Sequence, residues 1–181
     1  IVYLLAIISG KKSPYYNPLD KKQYRLWLEE NKTIKQIHPR LRYQPLISVL
    51  LPVYNVDKEY LVECIESILR QSYSKFEIYV VDDTSTNKET IETLKEYEHD
   101  KRVKIRYRKK NGHISLTTND ALNMAKGEYV ALMDDDDVLD SDALMNVVLA
   151  LNDDPEIDMV YTDEDKLDVD GLRCDPNFKS D

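Results

Sequence analysis

A run of four aspartates, Asp134 to Asp137, follows the apolar segment EYVALM, which has the composition of a buried strand. Carboxylates that leave water beside an apolar segment cost free energy unless a cation neutralises them. Mg²⁺ and Mn²⁺ take oxygen ligands, so these carboxylates predict a site for one of those cations. The alternative is a solvated acidic loop that favours the N-terminus of the next helix through its dipole.

Other candidate site residues, most of them polar, stand where four further segments with the pattern of strands end. They are Pro52, Tyr54 and Asn55, then Asp82 and Asp83, then Asn111, Gly112 and His113, and finally Glu164 and Asp165. In an open α/β sheet the carboxyl ends of parallel strands meet at one edge, where ligands bind. We therefore expect these side chains to converge with the aspartates on one rim.

A rim of carboxylates without clustered His or Cys suits an open metal site that a diphosphate completes. The sequence has only four glycines and no G-x-G-x-x-G or Walker A loop that would hold phosphates. The positive charge near the phosphates would then come from the metal. On the same rim Tyr54 could stack on a base, and Asp82 or Asp83 could accept an N–H from a uracil-like ring.

The elements that must position this rim alternate between strands and helices. Continuous apolar runs predict buried strands, and apolar residues at helical spacing predict amphipathic helices. The third strand is polar enough for a sheet edge, the fourth is predicted as buried, and Gly127 is expected to cap the third helix. This order predicts an α/β fold with a mainly parallel sheet and helices on both faces. The predicted strands are 46–53, 75–83, 101–108, 128–134 and 157–162, and the predicted helices are 57–71, 87–99, 115–126 and 141–151.

Residues 1–45 are predicted to form an N-terminal extension with an apolar segment (1–10), a linker (11–18) and a helix that Asp20 would cap. The apolar segment is too short to span a bilayer, and no basic region precedes it as in a signal peptide. We expect it to pack on a neighbouring element or on another copy of the chain, which would give a homo-oligomer. The remainder of a membrane anchor is the alternative.

The 181 residues carry a formal net charge of −9, which argues against a nucleic-acid binder because phosphates attract basic surfaces. The two cysteines, Cys64 and Cys174, show no disulfide or zinc spacing, and Cys64 falls on the apolar face of a predicted helix. Reduced thiols fit the cytosol. We expect a cytoplasmic protein, either free or at the inner face of the membrane.

The segments ISVLLPVYN, YVVDDTSTN, NGHISLTTNDALNMAKGEYVALMDDDDVLDSDAL and YTDEDKLD resemble, in this order, the motifs of the family 2 glycosyltransferases. The resemblance implies a Rossmann-like GT-A fold whose nucleotide-sugar-binding portion spans residues 46–181 and ends before the acceptor-binding half. It also implies inverting transfer of a sugar from a nucleoside-diphosphate sugar, expected to be UDP-linked, to a glycan or glycoconjugate acceptor. Mn²⁺ or Mg²⁺ would be the cofactor, and bacterial cell-surface polysaccharide or glycoprotein glycan synthesis the setting.

The resemblance also implies roles for single residues. It makes Asp136 the direct metal ligand, with Asp134 as the second candidate, and it places Asp134 and Asp135 near the ribose or in the metal shell. Many relatives have a non-acidic residue where this chain has Asp135, so which carboxylates bind the metal stays open. The implied donor-binding residues are Pro52 and Tyr54 around the base, Asn55 beside them, Asp82 and Asp83 at the uracil, and the loop of Asn111, Gly112 and His113.

The family's catalytic base is a carboxylate in a later ED segment of the acceptor-binding half. We expect that segment beyond Asp181, with Glu164 and Asp165 as the candidates inside the chain. The alternatives are a non-catalytic nucleotide-sugar-binding or assembly module, a receiver-type phosphoacceptor domain and a nucleotidyltransferase. A receiver would carry its acidic pair after the first strand, whereas Asp82 and Asp83 follow the second. A nucleotidyltransferase would need a glycine-rich first loop.

Overall fold

The computed structural model describes residues 2–5, 21–31, 40–168 and 170–179. Helices and strands alternate along most of the chain, as the sequence predicts. In chain order they are β1 (Val2–Leu5), α1 (Lys21–Asn31), β2 (Ile47–Val53), α2 (Lys58–Leu69), β3 (Phe76–Asp82), α3 (Lys88–Tyr97), β4 (Val103–Tyr107), α4 (His113–Met124), β5 (Tyr129–Leu132), β6 (Val138–Leu139), α5 (Ala143–Asp153), β7 (Asp163–Leu167) and β8 (Arg173–Asn177).

A four-stranded parallel sheet with the order β4-β3-β2-β5 forms the centre of the fold. Within this sheet the first strand along the chain is β2; β3 and β4 are added on one side of it, and β5 is added on the other side. The order therefore reverses between β2 and β5. The predicted parallel sheet is confirmed, and so is the position of the polar strand β4 at a sheet edge.

Helices cover both faces of this sheet, and alternate residues of its strands divide between them. Toward one face, Val49 and Leu51 of β2 pack with buried side chains of α2, α3 and α5. Toward the other face, Leu50 and Tyr79 pack with Ala121 of α4. Burying a large apolar side chain stabilises a fold by about 1.5–3 kcal/mol, so both faces hold the helices in place.

A second four-stranded sheet has the order β6-β1-β7-β8. In it β1 runs parallel to β6 and antiparallel to β7. The predicted packing of the N-terminal apolar segment on a neighbouring element is confirmed for Val2–Leu5, within the same chain. Helix α1 contacts β8, and its buried Tyr24 stacks on Trp27, whose ring meets Phe178 edge-on.

Two strand predictions were wrong in part. The strand at 128–134 was predicted as buried, but Val130 and Leu132 of β5 are 45% and 67% exposed. Among the described strands β5 ends the sheet, and α4 packs mainly over β2 and β3. The strand predicted at 157–162 is irregular, and the polar residues Asp163–Leu167 form β7 instead. Backbone pairing with β1 and β8 decides this strand, and an apolar pattern does not report such pairing.

Gly127 does not cap α4, which ends at Met124 with Ala125 as its C-cap. A Cβ at Gly127 would lie 2.6 Å from the Ser48 nitrogen and 2.7 Å from the Leu46 oxygen. The close approach to β2 therefore requires glycine here, rather than a left-handed backbone conformation.

Among the described residues, no helix has both the length and the apolar composition needed to cross a membrane. Cys64 is a buried free thiol, as predicted. The predicted linker at 11–18 and the predicted cap Asp20 lie outside the described residues.

Candidate functional site

A cavity of about 300 Å³ opens at the carboxyl ends of the parallel strands, where the strand order reverses between β2 and β5. Open α/β sheets bind ligands at such a switch point. Residues that follow β2, β3, β4 and β5 meet in it, which confirms the predicted convergence for these four strands. The lining residues are Pro52, Val53, Tyr54, Asp83, Asn111, His113, Ile114, Thr117, Asp134, Asp135 and Asp136.

Tyr54 stands at the end of β2 with its side chain open to solvent in the cavity. The residue is 53% exposed, although its backbone N–H donates to Asp135 Oδ2 at 3.0 Å. The backbone is therefore fixed while the ring is available to a ligand. An exposed aromatic ring beside a cavity suits stacking on a planar group such as a base.

Asp83 is 3% exposed and lines the same cavity as the carboxylates of the aspartate run. Its carboxylate accepts from the Gly112 N–H at 2.9 Å and pairs with Arg108 at 3.3 Å. A Cβ at Gly112 would lie 2.3 Å from Arg108 Nη1, so a larger residue here would displace the guanidinium from its present position. Arg108 also pairs with Asp120 at 3.2 Å and thereby ties the loop to α4.

The loop after β4 leads directly into α4 at the cavity. Asn111 Nδ2 donates to the Asp83 backbone oxygen at 3.2 Å, and Asn111 Oδ1 accepts from the His113 N–H at 3.3 Å. His113 is the first residue of α4 and is exposed. The amino-terminal end of a helix carries partial positive charge, which suits a phosphate-bearing ligand.

The aspartate run places three carboxylates at the cavity, and its fourth residue, Asp137, is buried. Asp134 and Asp136 are exposed. Burial raises the pKa of Asp135 to about 6, and the negative charges of Asp136 and Asp134 add to the effect. The ion pairs among the described residues include none to these three carboxylates. The negative charge is thus without a protein counter-charge in this part of the chain.

The donor atoms at this rim fit a hard divalent cation, because they are carboxylate oxygens with uncompensated charge. In the described part of the chain, no group of three or more His, Cys, Asp and Glu side chains is arranged to hold a metal ion. A cation here would therefore need oxygen atoms from a ligand or from water to complete its shell.

Three predicted donor-binding residues, Asn55, Asp82 and Gly112, are not among the residues that line the cavity. Asp82 is 3% exposed and accepts from the Ser85 N–H, which closes the turn after β3. Asn55 adopts a left-handed backbone conformation with φ 52°, and its Oδ1 accepts from the N–H groups of Thr86 and Asn87. The side chains of Asp82 and Asn55 thus hydrogen-bond to the backbone of the loop between β3 and α3. Their predicted contact with the nucleotide stays a prediction.

Glu164 and Asp165 lie in the second sheet and are not among the cavity's lining residues. Asp165 is buried and accepts from the Tyr24 hydroxyl, and it pairs with Arg173 at 2.6 Å. Glu164 pairs with Lys179 at 3.2 Å. Burial raises the pKa of Asp165, whereas the hydrogen bond from Asn177 lowers the pKa of Glu164. The structure does not bring these two residues to the rim.

Sequence reasoning missed Arg108 and Thr117. Arg108 Nη1 donates to the Thr117 hydroxyl at 3.1 Å while it pairs with Asp83. Thr117 lies one helical turn after His113, and that spacing could have placed it beside the cavity. The sequence does not single out Arg108, because three other basic residues lie close to it in the chain. Local pattern does not predict which of these side chains pairs with a buried carboxylate.

The fold and the cavity together define a class, that of α/β domains with a cavity at the switch point of a parallel sheet and an acidic rim beside it. A sequence profile described as "Glycosyl transferase family 2" matches residues 48–172, and the chain belongs to that family. Its fold is that of the GT-A glycosyltransferases, as the solved structures similar to it show.

Relatives of this chain are named for polysaccharide synthesis. O-antigen biosynthesis protein RfbC of Myxococcus xanthus is 31% identical over 99% of this chain, which spans 15% of that protein. The chain spans 16% of another curated relative that is 46% identical. It therefore corresponds to a small part of these longer proteins.

Two solved structures are similar in fold and sequence. S. aureus TarS 1–349 in complex with UDP-GlcNAc is 29% identical, with a TM-score of 0.53, over 59% of this chain and 31% of that chain. The mannosyltransferase PcManGT of Pyrobaculum calidifontis in complex with GDP-Man and Mn²⁺ is 26% identical. Its TM-score is 0.56, over 73% of this chain and 40% of that chain.

Proposed function

We propose that this domain binds a nucleoside-diphosphate sugar with UDP as the nucleotide. We further propose that it acts in inverting transfer of the sugar to a glycan or glycoconjugate acceptor. The observation that carries the proposal is the meeting of an exposed Tyr54, the buried Asp83 and the carboxylates of Asp134–Asp136 in one cavity. A base, a sugar and a diphosphate with its cation are the groups that such a set can bind.

Each wall of the cavity has a separate task in this proposal. The Tyr54 ring stacks on the base, and Asp83 accepts an N–H from it with the carboxylate oriented by Gly112 and Arg108. The amino-terminal end of α4, at His113, favours the phosphates through its partial positive charge. The TarS complex with UDP-GlcNAc supports this choice of ligand class.

Asp136 and Asp134 are proposed to hold Mn²⁺ or Mg²⁺ at the rim. When bound, the cation supplies positive charge to the departing nucleoside diphosphate. Asp135 accepts from the Tyr54 N–H, so it orients the loop on which the other two carboxylates stand. The PcManGT complex, which contains GDP-Man and Mn²⁺, supports a cation in this family.

Proton removal from the acceptor hydroxyl needs a carboxylate that faces the acceptor. Glu164 and Asp165 are engaged by Lys179 and Arg173 and lie outside the cavity lining. We therefore propose a structural role for both residues, and a catalytic base elsewhere. The acceptor class is proposed from the O-antigen biosynthesis protein that this chain resembles.

The test is the thermal unfolding of the chain with UDP or GDP, each with and without Mn²⁺. We expect UDP with Mn²⁺ to raise the melting temperature, GDP to raise it less, and EDTA to remove the gain. A ligand that binds only the folded state raises the free energy of unfolding by RT ln(1 + [L]/Kd). At a concentration of 100 Kd, UDP with Mn²⁺ should therefore add about 2.7 kcal/mol to that free energy. The absence of a shift with any nucleoside diphosphate and metal would overturn the proposal, and a larger shift with GDP would reassign the nucleotide.

A further inference from the structure

Three buried polar side chains form a row on one face of α2 and in the turn that follows it. Cys64, Ser67 and Gln71 are 0%, 4% and 7% exposed, and their spacing places them one above the other. The same face of α2 otherwise packs apolar residues into the core. Buried polar groups cost free energy unless they are hydrogen-bonded, so their partners indicate what this polar row does.

All three members of the polar row bind the backbone that carries or follows the aspartate run. Cys64 Sγ donates to the Asp134 carbonyl at 3.4 Å, and Ser67 Oγ accepts from the Leu139 N–H at 3.0 Å. Gln71 Nε2 donates to the Asp140 carbonyl at 2.6 Å. The row therefore holds the loop after β5 at three points between residues 134 and 140.

Gln71 also caps the helix that follows this loop. Its Oε1 accepts from the Leu144 N–H at 2.9 Å, in the first turn of α5. Asp142, the N-cap residue of α5, makes no side-chain cap hydrogen bond in the described structure. The amide of a residue that follows α2 thus supplies the cap that the local sequence of α5 does not.

The loop needs such support for two physical reasons. Its carboxylates repel one another, and it leaves β5, a strand whose Leu132 is 67% exposed. The opposite side of the loop is held by the Tyr54 N–H, which donates to Asp135. Since Tyr54 follows β2 and the polar row lies on α2, both supports belong to one continuous β2–α2 unit of the chain.

We propose that Cys64, Ser67 and Gln71 are positioning residues that set the Asp134 and Asp136 carboxylates relative to the base-binding wall. The inference rests on the proposed function, because it concerns the metal and diphosphate side of that cavity. The residues touch neither ligand and act through the backbone of the loop. Their loss should therefore reduce the contribution of the cation more than the contribution of the base.

The experiment compares Ser67→Ala and Gln71→Leu with the unchanged chain. For each, the Kd of UDP is measured without metal and with saturating Mn²⁺, and their ratio is the manganese gain. We expect the manganese gain to fall about tenfold or more, as when residues behind metal ligands are removed. The Kd without metal should stay within about twofold of that of the unchanged chain.

Tyr73→Phe is the matched control. Tyr73 is 3% exposed, and its hydroxyl donates to the Pro45 carbonyl at 2.6 Å, so the substitution also removes a buried bond to backbone. We expect a lower melting temperature with an unchanged manganese gain. Cys64→Ser should retain the manganese gain better than Cys64→Ala, because the hydroxyl still donates to Asp134.

A second measurement separates this inference from the proposed function. Amide hydrogen exchange without metal should be faster at residues 134–144 in Ser67→Ala and Gln71→Leu, and unchanged at β3. If the unchanged chain shows no manganese gain, the proposed function fails, and exchange alone then decides whether the row holds the loop. An unaltered manganese gain in both variants, or unaltered exchange at 134–144, would overturn the positioning role.

Discussion

Two acidic regions of this chain use their carboxylates in opposite ways. At the cavity, Asp134 and Asp136 are exposed and belong to no ion pair among the described residues. In the second sheet, Asp165 is paired with Arg173 at 2.6 Å and Glu164 with Lys179 at 3.2 Å. The two regions look alike in sequence, because both are short acidic runs near the end of a predicted strand.

The difference lies in the counter-charge. A buried carboxylate that the fold itself pairs is costly to remove, because its partner is left buried without a counter-charge. A carboxylate left without a partner is available to a cation from outside. Asp83 is an instructive exception, because it lines the cavity and is nevertheless paired with Arg108. Its carboxylate is held in a fixed orientation, as a residue that recognises a base would need.

The largest effect is expected in the paired region. Asp165→Ala removes the nearer of the two carboxylates that pair with Arg173, and also the acceptor of the Tyr24 hydroxyl. It should lower the free energy of unfolding by about 3 kcal/mol. For a chain of this size that corresponds to a melting temperature roughly 6–12 °C lower. The manganese gain of UDP binding should not change. Asp165→Asn retains a side-chain oxygen, so its free energy of unfolding should fall less than that of Asp165→Ala. If both variants were as stable as the unchanged chain, the comparison would be contradicted.

Asp136→Asn should show the reverse pattern at the cavity. Because a proposed metal ligand is lost, we expect the manganese gain to fall at least about tenfold, or roughly 1.4 kcal/mol. Stability without ligand should change by less than about 0.5 kcal/mol, since the residue is exposed. Asp158→Asn makes the same charge change at an exposed position outside the cavity and is expected to leave both quantities unchanged. A comparable fall in the control would show that overall charge, rather than a ligand, is responsible.

Arg108→Gln tests the exception that Asp83 represents. Losing the guanidinium should weaken UDP binding by about 1 kcal/mol, or about fivefold, because the Asp83 carboxylate is no longer oriented. The loss should be equal with and without Mn²⁺, as measured by calorimetric titration. Arg106→Gln is the matched control, since Arg106 is half exposed and pairs only loosely with Asp120, at 3.8 Å. A loss confined to the manganese-containing titration would place Arg108 on the metal side instead.

The smallest effect concerns Glu164 and pH. The hydrogen bond from Asn177, with help from Lys179, lowers the pKa of Glu164, so the folded state favours its charged form. That contribution to stability is present at neutral pH and is lost as the pH falls through the lowered pKa. Glu164→Gln should therefore be less stable than the unchanged chain at pH 7, by under about 1 kcal/mol because the pair is partly exposed. Denaturant titrations at pH 7 and in strong acid should show this difference disappear, and a difference that persists in acid would exclude the ion pair as its source.

Much of the parallel sheet could be predicted from local pattern. Strands β2 and β3 are apolar runs whose burial matches their sequence, and the polar strand β4 lies at the predicted sheet edge. Helices α2 and α3 show helical spacing. The second sheet could not be predicted in the same way. Its strand β7 is polar, and it forms because β1 and β8 offer backbone partners from distant parts of the chain.

The residues of the candidate site likewise fall into those that local pattern predicted and those that it did not. Tyr54, Asp83 and Asp134–Asp136 follow strands of one sheet, and parallel strands bring their carboxyl ends together, so local pattern was sufficient. Glu164 and Asp165 were predicted at the same rim because strand 157–162 was predicted wrongly. Arg108 escaped prediction because only packing decides which of several neighbouring basic residues faces a carboxylate.

The sequence by itself determined the α/β order, the ends of the parallel strands and the place of the aspartate run, since periodicity and strand direction are local properties. Only the tertiary structure decided which acidic run has a counter-charge. Arg173 and Tyr24 meet Asp165 across long separations in the chain. At the cavity, the polar row of Cys64, Ser67 and Gln71 binds backbone. The carboxylates of Asp134 and Asp136 form no ion pair with any residue that the structure describes.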